Sequence, residues 1–134
     1  MDDEGCVTPH NHDEIGPDDP MLRGIPSPQI IKKSGVRRVS SNAFQQSGDK
    51  YQGMSMGAQN QLECSGTSVE QWNNGRFEFV AVFNASEFRD KEMKVGWDPN
   101  PDDPAHCNAW GRSTRSKRRA FAKKATKQLT PEAT

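Results

Sequence analysis

RFEFVAVF, residues 76–83, is the stretch that sets the fold class of this 134-residue chain. Its β-branched and aromatic side chains favour an extended backbone, and after Glu78 apolar residues alternate onto both faces. The stretch therefore predicts a central strand that is covered on both sides. Asn74–Gly75, immediately before it, is a typical hairpin turn signal.

Three further stretches predict short strands, at residues 52–57, 93–97 and 107–110, the last of them at a sheet edge. Met54 and Met56 share one face of the first, because alternate residues of a strand point the same way. Together with RFEFVAVF, these stretches predict a small sheet of a few short strands.

Helix signals lie between the predicted strands and after them. Ser40 or Ser41 caps a short helix that ends near Phe44, and a second short helix is predicted over residues 85–91. Residues 113–129 form a longer amphipathic helix, in which apolar residues recur every four positions. A small sheet with two or three helices predicts the α+β class.

Charge is unevenly distributed although the formal net charge is zero. Residues 1–20 hold seven acids and no base, whereas residues 112–127 hold eight bases and no acid. Hydrophobic residues make up 31% of the chain, which limits the core. We therefore predict a disordered acidic tail over 1–24, an α+β domain over 25–111, and a basic helix and tail over 112–134.

The cysteines bear on the cellular compartment. Cys6, Cys64 and Cys107 are odd in number and widely spaced, which argues against a disulfide framework. The acidic N-terminus lacks the apolar segment of a signal peptide, and no apolar run is long enough to span a membrane. We therefore expect a cytoplasmic protein.

Cofactor and metal signatures are weak. The chain has no phosphate-binding glycine loop and no dinucleotide motif, so we predict no cofactor. Cys6, His10 and His12 have suggestive spacing, but they fall in the acidic tail, and His106–Cys107 has no second ligand pair to complete a tetrahedron. We predict no metal site.

Residues 95–111, VGWDPNPDDPAHCNAWG, predict a loop stiffened by proline. One hypothesis makes His106 a catalytic base or ligand that Asp98, Asp102 or Asp103 orients. The alternative is a structural loop in which the aspartates form turns and His106 bonds a backbone carbonyl. Cys107 is predicted to be a buried, inert thiol.

Arg37 and Arg38 closely precede Ser40 and Ser41. The combination of two cations, two hydroxyls and a helix N-terminus indicates an anion site for phosphate or carboxylate. The alternative is a capped helix start with solvated arginines.

The basic helix is the feature typical of nucleic-acid binding. Its cations can attract a polyanion without reading sequence. The alternatives are a solvated amphipathic helix, or one that the acidic tail masks until a partner arrives. The candidate nucleic-acid-binding residues are Arg112, Arg115, Lys117, Arg118, Arg119, Lys123 and Lys124.

Three short strings in the middle of the chain resemble a loosely defined set of small bacterial proteins without an established activity. They are an R-x-S-S-x-x-F start over 38–44, a strand containing Met54–Ser55–Met56, and a D-P-x-P-x-x-P-A-H loop over 98–106. Methionine stands at 54 and 56 where branched aliphatic residues are expected. The resemblance implies a compact α+β unit of bacterial or mobile-element origin and transfers no catalytic role.

These observations lead to three functional hypotheses. The first is a non-enzymatic interaction module, an accessory subunit of a bacterial defence or toxin–antitoxin system whose partner is another protein. The second is a small metal-independent hydrolase or nuclease with Arg38, Ser40, Ser41 and His106 as catalytic residues in one cleft. The third is non-specific nucleic-acid binding by the basic helix. Whether the protein is an enzyme is left open by the sequence.

Overall fold

The computed structural model of the chain describes residues 11–12, 15–45, 53–99, 103–112 and 114–129. These ranges contain seven strands and four α-helices, and the predicted α+β class is confirmed. The strands are β1 (Pro20–Ile25), β2 (Ile30–Lys33), β3 (Val36–Val39), β4 (Met54–Ala58), β5 (Phe79–Asn84), β6 (Lys94–Trp97) and β7 (His106–Trp110). The helices are α1 (Gln59–Cys64), α2 (Val69–Asn73), α3 (Ala85–Arg89) and α4 (Arg115–Leu129), with short 3₁₀ helices at Ser27–Gln29 and Ser41–Phe44.

Five strands form one antiparallel sheet in the order β5-β1-β4-β7-β6. Strands β2 and β3 form a separate hairpin, in which Ile30 lies opposite Val39. Within the large sheet, Leu22 of β1 lies opposite Gly57 of β4 on one side and Val82 of β5 on the other. Because β1 and β4 are far apart in sequence, the sheet depends on long-range pairing.

Strand β1 corrects the predicted boundary of the acidic tail. Residues 20–24 were placed in that tail, yet they belong to an inner strand whose Met21 and Leu22 are buried on opposite faces. The strand could not be recognised in the sequence because it follows Asp18 and Asp19 and begins at Pro20, and acids and proline are typical of loops. Residues 1–10 and 13–14, which are half of the predicted tail, lie outside the described residues.

Strand β5 is an edge strand, and the prediction that it is central was wrong. Among the described strands it pairs with β1 alone. On its other side the Gln128 amide of α4 accepts from the Val82 N–H and donates to the Val82 carbonyl, both at 2.7 Å. Conversely β7, predicted at an edge, lies between β4 and β6. Apolar composition does not distinguish a central strand from an edge strand here: Ala81 and Phe83 of β5 are buried in the core, whereas Val82 is exposed.

Local capping follows the sequence closely. Ser40 caps the 3₁₀ helix Ser41–Phe44, where its Oγ accepts from the Asn42 N–H at 3.2 Å, and Asn84 caps α3. Asn74, by contrast, has a φ of 45° and ends α2 instead of opening a hairpin. Thr114 accepts from the Lys117 N–H at the start of α4, and Ser113 lies outside the described residues.

The core lies on both faces of the sheet. On one face four phenylalanines pack with ring centroids 4.9–5.6 Å apart, and Phe121, Ala122 and Ala125 of α4 are buried there. These rings are Phe44, Phe83, Phe88 and Phe121. The other face has a smaller cluster of Leu22, Leu62 and Ala105 under α1 and α2. Among the described helices, none is long and apolar enough to cross a membrane.

Candidate functional site

Ser40 and Ser41 lie against α4, at the point where strand β3 of the hairpin ends and the 3₁₀ helix Ser41–Phe44 begins. The Val39 N–H donates to Thr126 Oγ1 at 2.9 Å, and that hydroxyl donates to the Ala122 carbonyl at 2.8 Å. These two bonds fasten the end of β3 to the middle of α4. The hairpin and the helix thereby become the two walls of a groove.

This groove has a volume of about 590 Å³, and we call it the basic groove. Its polar lining residues are Arg38, Ser40, Ser41, Arg115, Arg119, Lys123, Thr126 and Lys127. All five cations are exposed, and none forms an ion pair with another described residue. No acidic side chain lines the groove within the described part of the chain. The groove therefore concentrates positive charge that no other described residue neutralises.

The groove cations of α4 recur every four positions, at 115, 119, 123 and 127. Four residues advance a helix by about 6 Å and a little more than one turn, so the four side chains form a stripe roughly 18 Å long. Arg38 lies across the groove from this stripe. Such a row of cations matches a linear array of negative charges better than it matches a single anion.

The structure separates the predicted nucleic-acid-binding residues into two sets. Arg115, Arg119 and Lys123 line the basic groove, and so does Lys127, which the sequence showed only as part of the basic run. The others point elsewhere: Lys124 forms a short ion pair with Glu87, and Lys117 Nζ donates to the Arg112 carbonyl at 2.9 Å. Arg112 and Arg118 do not line the groove.

His106 lies on the opposite face of the sheet from Ser40 and Ser41. Its neighbour Cys107 belongs to the phenylalanine core, and adjacent strand residues point to opposite faces. The structure therefore does not bring His106 together with Arg38, Ser40 and Ser41. A single catalytic cleft that joins these four residues is not formed.

His106 instead belongs to what we call the histidine cluster, formed by Ser55, Asp98, His106 and Asn108. The Nε2 atom of His106 lies 2.7 Å from Ser55 Oγ, and its Nδ1 atom lies 2.8 Å from the Asp98 carbonyl oxygen. Asn108 Nδ2 donates to the Asp98 carboxylate at 2.6 Å. Of the three candidate aspartates, Asp98 lies beside the His106 ring, and Asp102 lies outside the described residues. The Asp103 carboxylate accepts from Trp72 Nε1 at 3.1 Å, and its main-chain carbonyl accepts from the His106 N–H at 3.1 Å.

Arg23 links the serine of this cluster to the 3₁₀ helix Ser41–Phe44, and the sequence analysis did not single it out. Its Nε and Nη2 donate to the Ala43 carbonyl at 3.0 and 2.8 Å, and its Nη1 donates to the Ser55 carbonyl at 2.7 Å. Burial lowers the pKa of Arg23 to about 10. The β1–β4 pairing stops at Leu22, so the guanidinium bridges the strands where their ladder ends.

Together these contacts connect the three strings that carry the resemblance. Arg23 joins the first string at Ala43 to the second at Ser55, and His106 joins the second to the third. The link runs through one main-chain carbonyl and one side-chain hydroxyl of Ser55. Position 55 is therefore the junction of the three strings, although only its flanking methionines stood out in the sequence.

Cys107 is fully buried, which confirms the burial that the sequence predicted for this thiol. Burial, with smaller contributions from the negative charges of Asp103 and Asp98, raises the pKa of the Cys107 thiol to about 12. A thiol that stays protonated at neutral pH is a poor nucleophile and a poor metal ligand. Among the described residues no group of three or more His, Cys, Asp or Glu could hold a metal ion, and Cys6 and His10 lie outside them.

Comparisons with protein-family models, with curated protein sequences and with solved structures gave no match to this chain. Its function must therefore be inferred from the geometry of the described residues.

Proposed function

We propose that the protein binds a nucleic acid non-specifically along the basic groove. The observation that carries the proposal is the meeting of two separate sequence features in one groove. The Arg38–Ser41 segment and the basic stripe of α4 lie more than 70 residues apart in the chain, yet they line the same cavity. Phosphate groups are the ligands that such a combination of cations and hydroxyls favours.

Hydroxyl groups complete the chemistry of the groove. Ser41 Oγ forms no hydrogen bond with another described residue, and Ser40 Oγ accepts from the Asn42 N–H but keeps its own proton to donate. Serine hydroxyls commonly bond phosphate oxygens beside arginine and lysine. The proposed contacts are therefore charge-assisted bonds from the cations, supplemented by donation from these two serines.

The surface composition favours a nucleic acid over a protein partner at the described residues. Their only exposed large hydrophobic side chains are Val36 and Val82, which are 64% and 38% exposed. Protein interfaces usually have an apolar or aromatic centre, whereas nucleic-acid interfaces are polar and positively charged. A protein partner for an accessory subunit stays a prediction that these contacts do not support.

The test is binding of fluorescently labelled single-stranded and duplex DNA and RNA, measured by anisotropy at several salt concentrations. With five phosphate contacts, the slope of log K against log salt should be about −3.5 for a single strand and about −4.5 for a duplex. Neutralising Arg115, Arg119, Lys123 and Lys127 to Gln together should remove most of this slope.

The control removes two exposed cations outside the groove, Lys94→Gln with Arg112→Gln, and should leave the slope nearly unchanged. The matched groove variant, Arg119→Gln with Lys123→Gln, also removes two charges and should make the slope shallower. Affinity that does not depend on salt would contradict the proposal. Equal losses in the groove variant and in the control variant would also overturn it, because they would indicate a general charge effect.

A further inference from the structure

The histidine cluster carries an inference that is independent of the basic groove. Ser55 and His106 lie on the paired strands β4 and β7 and point to the same face, where Ser55 is exposed. The distance from Ser55 Oγ to His106 Nε2 is 2.7 Å, within the range of a nucleophile and its general base. Ser55 was part of a strand prediction only, so this pairing comes from the sheet register.

The contact at Nδ1 determines which nitrogen of a neutral His106 carries the proton. The Asp98 main-chain carbonyl, 2.8 Å from Nδ1, can only accept a hydrogen bond, so Nδ1 must donate. In the neutral imidazole this leaves Nε2 as the acceptor. The Ser55 hydroxyl therefore donates to Nε2, which is the arrangement that general-base catalysis requires.

The side chain of Asp98 completes the cluster. Its Oδ2 lies 3.7 Å from His106 Nδ1, and Asn108 Nδ2 holds the same oxygen at 2.6 Å. Asn108 is buried, so the carboxylate is fixed from the side of the sheet. A fixed negative charge beside the ring stabilises the imidazolium that forms when His106 accepts a proton.

We propose that Ser55 is an acyl-accepting nucleophile, activated by His106, for uncharged carboxylic esters. Ser55 Oγ attacks the carbonyl carbon while its proton passes to His106 Nε2. The ester C–O bond then breaks, and the alcohol leaves with that proton. In the second half, His106 takes a proton from water, the resulting hydroxide attacks the acyl carbon, and Ser55 Oγ regains the proton as the carboxylic acid is released.

The surroundings of Ser55 define the substrate class. The Asp98 carboxylate repels anions, which disfavours phosphodiesters and distinguishes this site from the basic groove, whose charged lining residues are all cations. On the same face of β4, the Trp72 ring covers Gly57, where an added Cβ would approach it to 2.7 Å. This indole, two residues along the strand, supplies an apolar wall for the acyl group.

The first experiment treats the folded full-length chain with a fluorophosphonate, which phosphonylates activated serines with loss of fluoride. Intact mass analysis should show one adduct per chain, and peptide mapping should locate it at Ser55. Ser55→Ala should abolish labelling, and Ser27→Ala, a change at another exposed serine, should leave the rate unchanged. The rate of p-nitrophenyl butyrate hydrolysis should likewise be lost in Ser55→Ala and unchanged in Ser27→Ala.

His106→Gln should slow labelling by about 100-fold or more, the usual contribution of a general base. Asp98→Asn should slow labelling by a smaller factor, because the main-chain carbonyl of residue 98 still accepts the hydrogen bond from His106 Nδ1. Circular dichroism confirms that each variant is folded. The absence of an adduct in the folded wild-type chain would overturn the proposal, as would labelling that maps to a different residue; neither result bears on nucleic-acid binding in the basic groove.

Discussion

The Thr126 hydroxyl accepts a 2.9 Å hydrogen bond from the Val39 main-chain N–H and so holds a strand end on the middle of a helix. The same hydroxyl donates to the Ala122 carbonyl one turn earlier. This side chain therefore joins the two walls of the basic groove directly, beside the core packing of Phe44 against Phe121. It carries no charge, so its removal tests the geometry of the groove apart from its electrostatics.

We predict that Thr126→Val lowers the free energy of unfolding by about 1–3 kcal/mol, because the Val39 N–H loses its partner at nearly constant side-chain volume. Urea denaturation measures this change. Nucleic-acid affinity should fall as well, although every cation is retained. Ser116→Ala, at an exposed position of α4, should leave both quantities within error; an equal effect of the two changes would rule out the proposed role of Thr126.

The cations of α4 should contribute unequally to binding. Arg119 lines the basic groove, whereas Lys124 is held by Glu87. We predict that Arg119→Gln makes the salt slope for a single strand shallower by about 0.7, the contribution of one phosphate contact. Lys124→Gln removes the same charge from the same helix and should leave the slope unchanged. Anisotropy titrations compare the two, and equal slopes would contradict the assignment of the groove.

Arg23 should matter for stability more than any exposed arginine. Arg23→Met keeps much of the apolar stem but leaves the Ala43 and Ser55 carbonyls without their donor, at a cost of about 2–3 kcal/mol. Arg38→Met, at an exposed site whose side chain forms no bond with another described residue, should change stability by less than about 0.5 kcal/mol. Chemical denaturation of both variants measures the difference, and similar losses would show that the bridging role is wrong.

Alkaline pH should destabilise the protein through Cys107. In the unfolded chain this thiol ionises near its ordinary pKa of 9.0, but in the folded protein the pKa is raised to about 12. Between these values the unfolded state binds fewer protons, so the free energy of unfolding falls as pH rises.

The expected contribution is a loss of about 1.4 kcal/mol per pH unit above pH 9. Cys107→Ala should lack this component, so the difference between its stability and that of the wild type should shrink as pH rises from 8 to about 10. Denaturant unfolding at each pH provides the measurement. Cys64→Ala, at an exposed site, should keep the wild-type slope, and parallel slopes for all three proteins would refute the prediction.

Local features of this fold could be predicted from the sequence, because their causes lie within a few residues. The caps at Ser40 and Asn84, and the apolar stripe of α4 through Phe121 and Ala125, follow from side-chain chemistry and helical periodicity. Strand order could not be predicted in this way. Strand β5 is apolar on both faces although it lies at an edge of the described sheet, where Gln128, 46 residues later, bonds its main chain and the Val82 side chain stays exposed.

The candidate sites divide in the same way. Charge and composition marked Arg38, Ser40 and the basic helix as anion-binding features, since a cation keeps its chemistry wherever the fold places it. The partner of His106 could not be predicted, because Ser55 lies 51 residues earlier and reaches His106 only through the β4–β7 register. The role of Arg23 could not be predicted for a further reason. Its hydrogen-bond acceptors are main-chain carbonyls, and because every residue has one, no residue type in the sequence indicates them.

The Gln128 amide that pairs with Val82 has a consequence for how the chain associates with other chains. Exposed strand edges recruit further strands, and a side-chain amide on the last turn of α4 occupies the main-chain N–H and carbonyl of Val82 on the β5 edge. Helix α4, which supplies most of the groove cations, thus also blocks the addition of a strand from another chain at this edge. One proteolytic cut that removed the last turn of α4 would weaken anion binding and promote aggregation at the same time.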